Sequence, residues 1–132
     1  MLAMEAMPRY FSLADAMLVT LKDDPVVATT IPGKIQSYLA CGRPIIGALN
    51  GSGADVIFDS RAGYCVPSGD YQKLADSVLK MSALSAAELQ EMGECALSYY
   101  RNNFDRDMLA NQLDGFMHKI LGIQNDEFQT KC

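Results

Sequence analysis

Pro44-Ile45-Ile46-Gly47-Ala48-Leu49 is a run of six residues without one polar side chain. A stretch that short and that apolar suits a strand covered on both faces, the hallmark of parallel sheets built from strand–helix–strand units. The residues before it fit the same plan. Pro32 has a fixed φ and no N–H, so it suits the first turn of a helix, where that donor would lack a partner anyway. Ile35, Tyr38 and Leu39 fall at i, i+3 and i+4 and make one apolar stripe. Gly42 can take the left-handed closing conformation, and Pro44 prevents the helix from continuing. Loop, helix and buried strand therefore follow one another from Ile31 to Leu49. A helix start beside an open α/β sheet is a natural place to hold an anion.

The same alternation is repeated on both sides. Glu5–Ala14 reads as a helix with Pro8 in its first turn, and Ala16–Leu21 as a short apolar strand. Lys22–Thr30 reads as a polar loop interrupted by proline. Asn50-Gly51-Ser52-Gly53 reads as a turn opening a short helix, Ala54–Ser60. Gly63–Pro67 gives a third strand, and Gly69-Asp70 caps a helix running to about Ser82. After that the strands stop. Ser85-Ala86-Ala87-Glu88 is a capping-box pattern ahead of a helix whose Leu89, Met92, Ala96, Leu97 and Tyr100 share a face. Asp105 opens a last helix with Met108, Leu109, Leu113, Phe116, Met117, Ile120 and Leu121 on its apolar side, stopped by Gly122. The expected fold is α/β: a short parallel sheet of about three strands flanked by helices, half of a Rossmann-like domain, over residues 1–122. Residues 123–132 form a polar tail. A whole doubly wound sheet would have about six strands, so the strand at Ala16–Leu21 is expected to leave an unpaired edge.

The 132 residues are enough for one cored domain. A net charge of −5 and a pI near 4.7 disfavour nonspecific nucleic-acid binding. They leave room for a local basic pocket. Cys41, Cys65, Cys95 and Cys132 show no CxxC spacing and no paired histidine, so neither zinc nor a disulfide framework is expected. Cys41 and Cys65 read as small buried hydrophobes. Met1-Leu2-Ala3-Met4 lacks the basic start and long apolar core of a signal peptide, and no apolar run approaches a bilayer span. The expected location is cytoplasmic.

The loop–helix junction from Thr29 to Ser37 is the leading site candidate. Amides of Gly33, Lys34 and Ile35 would project from the helix start, where the dipole favours negative charge. Gly33 permits close approach of a phosphate, Lys34 adds a point charge, and Thr29 and Thr30 carry hydroxyl donors. Taken alone, the junction reads better as a plain helix start at Pro32-Gly33 with Lys34 a solvated side chain. His118, the single histidine, reads as a solvent-facing or helix-end residue, and Asp23-Asp24 as loop acids that cap or solvate. No GxGxxG follows a strand, which ranks a dinucleotide enzyme low.

An ordered series of motifs adds to this. The chain resembles the C-terminal, donor-binding domain of retaining nucleotide-sugar-dependent glycosyltransferases of the GT-B fold, family 4 in particular. Pro32-Gly33-Lys34, Tyr38-Leu39-Ala40-Cys41-Gly42, Arg43-Pro44 and Ile45-Ile46 carry the likeness. It continues in Met7–Ala16, in Asn50–Ile57 and in Gly63–Asp70, and spans Met7 to about Phe116. The resemblance implies a fragment of such an enzyme, one that grips a UDP- or GDP-sugar through Thr29, Thr30, Gly33, Lys34, Ser37, Ser52 and Gly53. It implies no cofactor and no metal, and it assigns no catalytic residue within this chain. Relatives often carry two glutamates separated by seven residues; those positions are Thr29 and Ser37 here, and Ser52 likewise stands where glutamate is common. The diphosphate-clamping Arg and Lys, and most of the base pocket, would lie in a missing N-terminal region. The final helix would cross to that region, leaving part of its apolar face uncovered. The expected partners are therefore the nucleotide-sugar, the missing region, and a second copy joined through the strand edge or the terminal helices. The alternative is a non-catalytic dimeric binding or interaction module derived from such a domain, favoured by the loss of both carboxylates.

Overall fold

The computed structural model describes residues 7–121. Expectations for Glu5, for Gly122 and for the polar tail lie outside them. Three strands, β1 (Met17–Thr20), β2 (Ile45–Ala48) and β3 (Gly63–Val66), form one parallel sheet in the order β1-β2-β3. Met17 pairs with Ile45 and Ile45 with Gly63, so all three strands start level. The central strand is buried along its whole length, as its apolar run requires. Edge strand β1 alternates buried Met17 and Val19 with exposed Leu18 and Thr20, so one of its faces is uncovered.

Seven helices accompany the sheet among the described residues: α1 (Met7–Phe11), α2 (Pro25–Ala28), α3 (Gly33–Ala40), α4 (Ser52–Asp59), α5 (Tyr71–Ser82), α6 (Ala86–Asn103) and α7 (Arg106–Leu121). Four differ from the sequence expectation, and the first of them, α1, ends at Phe11, three residues before the expected Ala14. The loop from Lys22 to Thr30 contains α2, nucleated where Asp24 accepts from the amides of Val26 and Val27 and Pro25 occupies the first helical position. Pro32 caps α3 instead of lying inside its first turn: its ψ of 131° is extended, and the helix begins at Gly33. Helix α4 starts at Ser52, two residues earlier than expected, because Gly51 has already made the turn.

The core lies between β2 and the helices on its faces. Ile35 and Leu39 of α3, Ile45 of β2 and Ile57 of α4 are fully buried, each worth roughly 1.5–3 kcal/mol in burial. Helix α3 ends as its sequence predicts. Gly42 has φ +61°, its N–H donates to Leu39, and the Arg43 N–H reaches Tyr38, which satisfies the last carbonyls. Helix α6 crosses this end so closely that a methyl group on Gly93 would stand 2.3 Å from the Gly42 carbonyl oxygen. Its predicted apolar face points inward, with Ala96 fully buried. Helix α7 has an apolar side too, yet none of its residues is buried.

Candidate functional site: the carboxyl rim of the sheet

All three strands end on one rim, and three loops leave it. After β1 comes the loop to α2 and α3, after β2 the turn into α4, and after β3 the turn into α5. Asn50 binds the three together. Its amide nitrogen donates to Asp23 at 2.8 Å in the first loop, and its amide oxygen accepts from the Ser68 N–H at 3.2 Å in the third. The Ser68 hydroxyl donates to the Leu21 carbonyl at the end of the first strand. Neither Asn50 nor Ser68 stands out in the sequence, because their partners lie 27, 18 and 47 residues away.

Within this frame the starts of α3 and α4 lie side by side. Gly51, at φ +74° and ψ −150°, is backed against α2: a Cβ there would sit 2.0 Å from the Ala28 carbonyl oxygen. Only glycine accepts both that conformation and that approach. Gly53 is buried, and a Cβ on it would stand 3.0 Å from Pro32 Cδ and 3.1 Å from Ile35 Cδ1. The first turn of α4 is therefore packed on the mouth of α3.

Neither helix start has a side-chain cap. At α3 the Ile35 N–H, expected to be free, donates instead to the Pro32 carbonyl at 2.9 Å. The exposed residues Gly33 and Lys34 have no such partner among the described residues, and a Cβ on Gly33 would meet nothing within 4 Å. At α4 the amides of Ala54 and Asp55 both turn back to the Gly51 carbonyl. Ser52, at the helix start, is half-buried.

The hydroxyls in the region face their own helices. Thr29 and Thr30, both exposed, donate to the carbonyls of Val26 and Val27 at 2.8 and 3.0 Å. Ser37 donates to the Gly33 carbonyl at 3.0 Å, which places its oxygen over the first turn of α3. Asp23 and Asp24 are occupied by Asn50 and by the cap of α2. Cys65 lies under the rim, where burial pushes its thiol pKa up, and its Sγ lies 3.7 Å from the Leu49 carbonyl oxygen. His118 lies far along the chain on α7, against the carbonyl and carboxylate of Asp114. Among the described residues, no group of three or more His, Cys, Asp or Glu side chains could hold a metal.

A cavity of about 550 Å³ lies elsewhere, at the amino ends of the strands between α3 and α6. Its one cation, Arg43, already donates to the Ser12 carbonyl at 2.6 Å, and Asp15 and Glu94 line the same wall. Such a wall repels a phosphate.

A scan against protein families finds that the model for glycosyl transferases group 1 matches residues 2–83. The chain belongs to that family. The match spans the whole sheet, the paired helix starts and α5, while α6 and α7 lie beyond it. No curated protein matches the chain. In this glycosyl transferase group 1 chain the sequence-singled residues Thr29, Thr30, Gly33, Lys34, Ser37, Ser52 and Gly53 all fall on the two loop–helix junctions that follow β1 and β2. Gly53 differs from the others in being buried, so its contribution is to the packing of the two junctions.

Proposed function

We propose that this chain is the sugar-nucleotide-binding half of a donor domain and that it grips the donor diphosphate at the paired starts of α3 and α4. The observation that carries the reading is two adjacent helix mouths, neither capped by its own side chain, on the carboxyl rim of a parallel sheet in a family of glycosyl transferases. Free amides and two aligned positive dipole ends fit a diphosphate. Lys34 supplies a mobile charge, and Gly33 leaves the space for a phosphate oxygen to reach the backbone. Thr29, Thr30 and Ser37 keep hydroxyl lone pairs for ribose or sugar hydroxyls. Ser37 does so more weakly than a carboxylate would.

In transfer, the bond from the sugar to the diphosphate breaks, its electron pair goes to the leaving phosphate oxygen, and the acceptor hydroxyl takes its place with retention, releasing its proton. Charge grows on the diphosphate as that happens, and donors fixed in advance stabilise it. A UDP- or GDP-linked donor, a saccharide or lipid-linked acceptor and a cytoplasmic setting complete the reading. No helix among the described residues is long and apolar enough to cross a membrane.

One observation favours a second reading, a binding module without chemistry: Thr29 and Ser37 stand where relatives carry glutamates. Titration of UDP and GDP followed by amide NMR separates the two. Shifts centred on Gly33–Ser37 and on Ser52–Gly53 are expected. Silence there, with the fold intact, removes the donor-site reading and leaves the second.

A further inference from the structure

The backbone ladder runs out just past the strands. Its last bonds join the Leu21 N–H to the Ala48 carbonyl at 3.0 Å and the Leu49 N–H to the Val66 carbonyl at 3.1 Å. Beyond them Asn50 bridges the loops with a donor and an acceptor at once. Its Nδ2 donates to Asp23 Oδ1 at 2.8 Å, and its Oδ1 accepts from the Ser68 N–H at 3.2 Å. A carboxylate only accepts and a backbone N–H only donates, so the two partners fix which way the amide points. Neither an ionised aspartate nor a hydrophobe at position 50 could serve both.

Each end of this bridge leads to one of the two open helix starts. Asp23 is followed by Asp24, which caps α2, and α2 leads into Pro32 and α3. Asn50 is followed by Gly51, whose turn begins α4 and lies against Ala28 at the end of α2. The bridge therefore ties together the two segments that carry the mouths. We infer that Asn50 is a positioning residue for the donor diphosphate. It holds the starts of α3 and α4 at a fixed separation, acting through Asp23 and the Gly51 turn instead of through contact with the ligand. The inference rests on the donor-site reading above.

UDP affinity of the 132-residue chain and three variants, followed by amide NMR, tests it. Asn50→Asp sets two carboxylates against each other where a hydrogen bond was, and binding should fall by about tenfold. Asp23→Ala removes a negative charge near the rim, a change that charge alone would turn into tighter binding. Loss of the bridge should instead weaken UDP by about threefold. Asp23→Asn/Asn50→Asp rebuilds the bond with its ends exchanged: the amide at position 23 donates to the carboxylate at position 50, which still accepts from Ser68. Its net charge is that of the wild type, and its affinity should return to the wild-type value. In the ligand-free chain, exchange of the Ala54 and Asp55 amides, which donate to the Gly51 carbonyl, should quicken in both single variants and slow again in the double one. Single variants that bind UDP as well as the wild type, a double variant as weak as Asn50→Asp, or exchange that none of them changes would each overturn the role of Asn50 and leave the donor site standing. A wild type that binds neither UDP nor GDP overturns the donor-site reading, and this role with it.

Discussion

Among the six described helices from α2 to α7, four begin on a side chain that reaches back to their amides, and two do not. Asp24 serves α2, Asp70 serves α5, Ser85 and Glu88 close a reciprocal box on α6, and Asp105 accepts from Met108 at the start of α7. The exceptions are α3 and α4, which follow β1 and β2 on the carboxyl rim and touch each other through Gly53 and Pro32. A missing side-chain cap forgoes about 1 kcal/mol at α3 and only a few tenths at α4, whose cap position is glycine. The two starts lie side by side, on helices of only eight residues. Helices α2, α5 and α7 carry their own capping carboxylate; α3 and α4 have no side-chain cap, although α4 has Asp55 in its first turn.

The largest effect expected from breaking this contrast lies at Gly51. A side chain there would have to adopt a backbone conformation open essentially to glycine and would drive its Cβ into the Ala28 carbonyl. Gly51→Ala should cost about 3 kcal/mol of stability, read as a lowered urea midpoint. An unchanged midpoint would mean that α2 and the α4 turn are not in contact, and with that the paired mouths would be lost.

Exchanging the two kinds of helix start comes next. Pro32→Asp supplies α3 with the carboxylate that α2, α5 and α7 already have. The fold should hold, because Pro32 is extended as a cap residue is, but UDP or GDP binding should fall by about tenfold or more, since the new charge occupies the anion's place. The reciprocal change, Ser85→Ala, removes a built-in cap and should cost α6 about 1 kcal/mol while leaving nucleotide binding alone. Equal effects of both substitutions on binding would erase the distinction between the two classes of helix start.

What the sequence disclosed and withheld divides along the same line. The strands were legible because Ala16–Leu21, Pro44–Leu49 and Gly63–Pro67 are apolar runs of strand length, and the capping box because all its parts lie within four residues. Local chemistry also marked Gly42 as the end of α3. Helix α2 was not legible, since four residues between two prolines and two acids read as loop until Asp24 is seen capping them. The early start of α4 was hidden for a related reason: Gly-Ser-Gly reads as a turn, and only the contact of Gly51 with Ala28 reveals that the turn is already complete. Asn50 was invisible because its role is tertiary closure. The site residues were found as a loop and a helix start; that a second start lies against the first emerges only from Gly53 meeting Pro32. Similarly, the apolar side of α7 was plain from its spacing, whereas its exposure depends on what the other helices do not cover.

The smallest effect concerns pH. Hydrogen bonds from the Ser85 hydroxyl and N–H hold the Glu88 carboxyl below its ordinary pKa, and bonds from Lys73 do the same for Asp70. A group whose pKa is lower folded than unfolded binds its proton more readily in the unfolded chain. Its stabilisation is therefore complete above the unfolded value, near pH 4–5, and disappears as pH falls through the folded one. Glu88 is exposed and Asp70 is half-buried at the surface beside an exposed Lys73, so the loss is modest and shrinks with salt. Lys73 shows the opposite limb: raised by the same Asp70 partner, its contribution is present below its unfolded pKa of about 10.4 and lost as pH rises through the folded value. Glu88→Gln should flatten part of the acid limb of a Tm-against-pH curve without changing its alkaline limb. A phosphate-bearing ligand should instead add stability at the rim that persists below pH 4, since a diphosphate keeps negative charge there, and that residual acid resistance in the presence of UDP marks the two open helix starts as the place where it binds.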